Sequence, residues 1–129
     1  MKLAEAILEK QRLERQSELL KSRLKDDVHQ GRPTARIQEE LQRTVNQARD
    51  ISIAVDWTEQ NTSLSGIPLG AYRNRIKYSK YLAKVFENIN QEVASSYWDS
   101  AYYDIKIVNA TTWLVDLKVP GGDEKKESL

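Results

Sequence analysis

Four cations in this chain, Arg73, Lys77, Lys80 and Lys84, recur at i, i+4, i+7 and i+11, which is one face of a helix, and Tyr81 adjoins the line. Cations at that spacing can follow the phosphates of a nucleic acid. They also make an ordinary solvated face, or a partner for acids such as Glu39, Glu40 or Glu59 of a neighbouring chain. The sequence holds 20 basic and 19 acidic residues for a net charge of +1. That balance lacks the positive bias of a nucleic-acid domain and favours the plainer reading. A second group, Trp98, Tyr102, Tyr103 and Trp113, could stack a ligand or bases. Aromatic side chains of this kind more often form the packing face of a small sheet. A third, Asp26, Asp27 and His29, has the residue types for acid–base chemistry or a carboxylate–imidazole metal site. Its place beside a turn makes helix capping the simpler role.

Nothing else in the 129 residues supplies reactive chemistry. With no Cys there is no thiol nucleophile, disulfide or iron–sulfur cluster, and one His without Cys removes the common structural zinc sites. There is no His-Glu-x-x-His spacing, and Gly121-Gly122 follows no phosphate-loop pattern. The sequence thus predicts no enzyme, no cofactor and no metal. No apolar run approaches the roughly 20 residues of a membrane helix. The opening Met1-Lys2-Leu3-Ala4-Glu5-Ala6-Ile7-Leu8-Glu9-Lys10 is too charged for a signal peptide, so the expected compartment is the cytoplasm and no membrane partner is expected.

The elements that must position these residues are mainly helical. Residues 2–29 carry Leu3, Ala6, Ile7, Leu13, Leu20, Leu24 and Val28 on one stripe among good helix formers, and Gly31 and Pro33 end the helix. Residues 34–60 repeat the pattern with Ile37, Leu41, Val45, Ala48, Ile51 and Val55. The short connection makes the two an antiparallel hairpin of coiled-coil character, although Lys10 and Ser17 interrupt a strict heptad seam. Residues 61–68 read as a loop. A third helix is expected to about Ser95, with Tyr72, Leu82, Phe86, Ile89 and Val93 on its seam and Ile76 beside it. Beyond Ser96, β-branched and aromatic residues dominate. Alternation in 103–107 and 113–119 about Asn109-Ala110 predicts a short C-terminal β-hairpin. The expected architecture is three long helices packed antiparallel plus that hairpin, a single domain over residues 1–119, with 120–129 a disordered polar tail.

Four segments stand out in order: the opening Met1-Lys2-Leu3-Ala4-Glu5-Ala6; Val28-His29-Gln30-Gly31 with Pro33 at the first turn; Asn61-Thr62, Leu64, Gly66 and Leu69 at the second; and Asp104-Ile105-Lys106 before a Val/Thr-rich stretch. In order and spacing these resemble a septicolysin-like family of small uncharacterised bacterial helical proteins, over about residues 1–118. The resemblance implies long helices that form an oligomer. Typical members continue into a further C-terminal helix, where this chain has Pro120-Gly121-Gly122 and charged residues. The family name implies a pore-forming toxin, for which these residues offer no membrane-length segment and no spanning β-strand.

Each helix also carries apolar residues off its main stripe: Leu8 and Leu19 on the first, Ile53 and Trp57 on the second, Tyr78, Tyr81 and Val85 on the third. A three-helix monomer needs one stripe per helix, so second stripes predict further partners. The sequence therefore predicts a homo-oligomer with these seven residues as interface candidates. The competing reading is a nucleic-acid-binding module that uses the basic face of the third helix.

Overall fold

A computed structural model of the chain describes residues 1–120. It contains α1 (Leu3–His29), α2 (Ala35–Gln60), β1 (Ser63–Leu64), β2 (Ile67–Pro68), α3 (Leu69–Phe86) and α4 (Gln91–Thr112). The described residues are thus mainly helical, as the sequence implies, but with four helices and with the small sheet elsewhere. The first two helices match expectation to within a residue. The Lys2 backbone N–H donates to Glu5 Oε1 at 2.9 Å at the start of α1, and Gly31, with φ +68°, turns the chain after it.

The expected continuous third helix breaks after Phe86. Asn90 is extended, with φ −152° and ψ 104°, and its side chain accepts the Val93 N–H, so it caps a new helix. The expected C-terminal β-hairpin is overturned. Residues 103–112 lie in α4, where Ala94, Ala101, Asp104, Val108 and Thr112 recur at helical spacing and are buried against α3. Strand preference reflects fit to a half-buried pleated surface, and here packing on α3 decides. The hydroxyls of Thr111 and Thr112 donate to carbonyls of the preceding turn, at Ile107 and Asn109, which satisfies them within the helix.

The observed hairpin lies where a loop was expected. Its strands are antiparallel, with Ser63 opposite Pro68 and Leu64 opposite Ile67. Ser65 and Gly66 both have positive φ, +52° and +78°, the signature of a tight type I′ turn. Residues 113–119 form no hairpin. Residues 113–115 turn off the end of α4, and the chain then crosses its own start, Asp116 bridging Lys2: Leu3 N–H donates to the Val115 carbonyl and Leu117 N–H to the Met1 carbonyl, each at 2.8 Å. The Thr58 hydroxyl, fully buried, accepts the Lys118 N–H at 2.8 Å. Residues 121–129 of the expected tail lie outside the described residues.

α1 packs along α2, and α3 along α4, while contact between the two helical pairs is slight. The core sits where the pairs meet: Leu3, Ala6, Val55 and Leu69, closed by Ile7, Ile51, Leu64, Val115 and Leu117. The molecule is therefore two helical hairpins joined at their bases. No helix among the described residues is long and apolar enough to cross a membrane.

Candidate functional site

At the base of the two hairpins, Arg73 at the start of α3 reaches α2. Its Nε donates to Glu59 Oε1 at 2.5 Å, and Glu59 is buried. The first cation of the basic line is thus held by an acid of its own chain. Ile7, Gln11, Glu14, Asp56 and Glu59 surround a cavity of about 370 Å³ with Arg73. Gln11 and Glu14 also border a larger open groove of about 960 Å³ that continues outward between α1 and α2. Its apolar wall is Leu19, Val45 and Ala48, and its charged rim is Glu14, Arg15 and Glu18. Every lining residue belongs to α1 or α2, so the other hairpin leaves this groove uncovered.

One face of the second hairpin is basic. Lys80 shares a pocket of about 290 Å³ with Arg73 and Ile76 of α3 and Ile105 and Asn109 of α4. Lys77 and Lys84 continue the α3 face by helical spacing. On α4, Tyr102 and Trp98 precede Ile105 by three and seven residues and continue its face. Their rings stack with centroids 5.8 Å apart. Because α3 and α4 run antiparallel, Lys84 and this aromatic pair lie toward the same end of the hairpin. Among the described residues, Lys77, Lys80 and Lys84 form no ion pair. By helical spacing the basic line and the Trp98–Tyr102 stack lie on the same side of the second hairpin. Tyr103 borders a pocket together with Tyr102 and Ile105, and Trp113 is exposed, at 55%, beyond the end of α4.

The seven expected interface residues, Leu8, Leu19, Ile53, Trp57, Tyr78, Tyr81 and Val85, are all exposed in the single chain. They form no single patch. Leu8 lies on α1 away from the packed Leu13 and Leu20, and Ile53 lies on α2 away from Val55, by helical projection. Only Leu19 borders the groove.

The sequence reading missed one pairing. Arg75 donates from Nε and Nη2 to the two oxygens of Asp104, each at 2.7 Å, and its guanidinium lies 4.8 Å from the centroid of the Tyr72 ring. The Asp104 side chain is 2% exposed and that of Arg75 is 50% exposed. The hydrogen bonds to Asp104 hold the guanidinium more firmly protonated than usual. A charged residue at an inward helical position, between Ala101 and Val108, was the available signal. Reading the segment as a strand hid it.

Asp26, Asp27 and His29 lie at the tip of the first hairpin. The Asp26 carbonyl accepts the Gln30 N–H, the Asp27 carbonyl accepts the Arg32 N–H, and Arg32 pairs with the Asp27 carboxylate at 3.6 Å. These are turn-closing contacts, and among the described residues no cluster of three His, Cys, Asp or Glu side chains could hold a metal ion. No family model, curated protein sequence or solved structure matches the chain.

Proposed function

We propose that the protein is a non-enzymatic, cytoplasmic helical protein that self-associates and serves an assembly or partner-binding role. The observation that carries this reading is surplus surface. The chain exposes 9360 Å², where a compact single chain of 14.9 kDa exposes about 7,000 Å². Residues 121–129, counted at full extended-chain exposure, account for at most about 1,400 Å² of the difference. Roughly 1,000 Å² remains, comparable with the ~800 Å² that each partner buries in a standard interface. The resemblance to the septicolysin-like proteins points the same way. Sedimentation velocity from one to one hundred micromolar tests it: a species heavier than one chain is expected, and a single-chain species throughout that range rejects it.

One observation favours a second reading, a nucleic-acid-binding module: Lys77, Lys80 and Lys84 share a face with the Trp98–Tyr102 stack. Three phosphate contacts on a single strand give a slope of log affinity against log salt near −2, from about −0.7 per contact. The self-association reading expects no binding of a labelled oligonucleotide at physiological salt. Sub-micromolar binding with that slope, lost when the three lysines are replaced by Gln, establishes the second reading.

A further inference from the structure

We propose that the Arg73–Glu59 pair is a latch that fixes the angle between the two helical hairpins, and that without it the second hairpin swings about the base of the first. The latch acts within one chain, whatever the assembly state. The way the second hairpin is attached leaves one motion free. Because α3 and α4 run antiparallel, the chain enters and leaves this hairpin at the same end. At the entry, Leu69 sits in the shared core with Leu64 packed on it; at the exit, Val115 and Leu117 pack on the same core and the Thr58 hydroxyl accepts the Lys118 N–H. Two attachments at one end define an axis and do not oppose rotation about it. Direct helix packing opposes it little, since contact of α2 with α3 and of α1 with α4 is slight. A further contact must therefore set the angle. Arg73 lies one turn beyond Leu69, and its Nε donates to Glu59 Oε1 at 2.5 Å. Among the described residues this is the one ion pair between a helix of the first hairpin and a helix of the second. Its burial favours the closed state. Glu59 is 8% exposed, so a released carboxylate is left desolvated and unpaired, while the Arg73 side chain, 42% exposed, meets water in either state. Arg73 also supplies the second hairpin's wall to the cavity of about 370 Å³ beside α1 and α2, and it borders the pocket of about 290 Å³ between α3 and α4. Release of the latch thus joins the two spaces into one cleft between the hairpins.

The chain contains no Cys, so paired spin labels report only the sites introduced. Gln30→Cys and Asn88→Cys, both at exposed residues, place one label at the tip of each hairpin. α3 has 18 residues and is about 27 Å long, so a swing of roughly 20° carries the second tip about 9 Å. Pulsed dipolar spectroscopy on labelled protein, diluted into an excess of unlabelled protein, reads this distance within one chain. Arg73→Met and Glu59→Leu open the latch by different means, the first leaving the buried carboxylate and the second removing it. The expected result is a single narrow distance distribution with the latch intact, and in both variants a broad one that departs from it by on the order of 9 Å, the swing worked out above. A second label pair, Arg23→Cys with Gln47→Cys, joins the two helices of the first hairpin and should keep its distribution in both variants. A tip-to-tip distribution already broad with the latch intact shows that no angle is fixed, and overturns the proposal. An unchanged tip-to-tip distribution in the variants assigns the angle to the core and to the segment crossing the chain's start, and overturns it as well. Broadening of both label pairs makes the contact a general support of the fold rather than a latch, which is equally a refutation.

Discussion

Removing Arg75 should cost far more stability than removing its partner Asp104. The asymmetry follows from exposure. In Arg75→Met the Asp104 carboxylate, 2% exposed, loses both guanidinium hydrogen bonds and has no other side-chain partner among the described residues. Breaking a buried pair in this way costs about 3–5 kcal/mol, and we expect the lower end because the Arg75 side of the site opens to water. In Asp104→Leu the guanidinium, already half exposed, is hydrated by solvent while it stays over the Tyr72 ring, so the loss is that of a charged hydrogen-bonded contact, about 1–2 kcal/mol. Replacing both, Arg75→Met with Asp104→Leu, exchanges the pair for apolar packing between α3 and α4 and should return to within about 1 kcal/mol of the original stability. Urea unfolding followed by circular dichroism, at one fixed protein concentration, reads these values. With a slope of about 2 kcal/mol per molar urea, Arg75→Met lowers the midpoint by roughly 1.5 M. If Asp104→Leu proves as costly as Arg75→Met, or the double variant stays as unstable as Arg75→Met, the argument from the buried carboxylate fails.

The strap of residues 113–119 across the chain's start gives three further tests. Thr58→Val leaves the Lys118 N–H without its acceptor and should cost about 1–2 kcal/mol in the same assay; an unchanged midpoint means that the strap is not docked there. Trp113→Ala should cost less than about 0.5 kcal/mol, because the indole is exposed; a loss of several kcal/mol places the ring in a core that the structure does not show. Asp116 pairs with Lys2 at 2.9 Å, and that hydrogen bond holds its carboxyl below the usual carboxylate range. A carboxylate with a lowered folded-state pKa contributes stability above its ordinary value and loses it as pH falls through the lowered one. The original protein should therefore exceed Asp116→Asn in stability at neutral pH, and the two should converge in acid; a gap that persists at low pH refutes the pairing.

How much of this was legible in the sequence depends on where the determining contact lies along the chain. α1 and α2 are specified locally, by helix-forming residues, one apolar stripe and a Gly/Pro break, and their bounds were read closely. The break at 87–90 was also written locally, in Asn90 before Glu92, but the continuing apolar seam of Phe86, Ile89 and Val93 masked it. α4 was misread because its Tyr, Trp, Ile, Val and Thr content is that of a strand. Ala83 of α3 and Ala94 and Ala101 of α4 are buried, and the packing of α4 on α3 is not written in the local sequence. The basic line was visible at once. Its anchoring by Glu59 and its union with Trp98 and Tyr102 were not, since these depend on how two hairpins meet.

Small-angle X-ray scattering on the unmodified protein tests the central claim most directly, because forward scattering gives the mass and the low-angle slope gives the size. Self-association predicts a mass of at least twice 14.9 kDa. A mass of one chain contradicts it, and a radius of gyration near 14 Å, the size of a compact globule of this length, contradicts the open pair of hairpins as well.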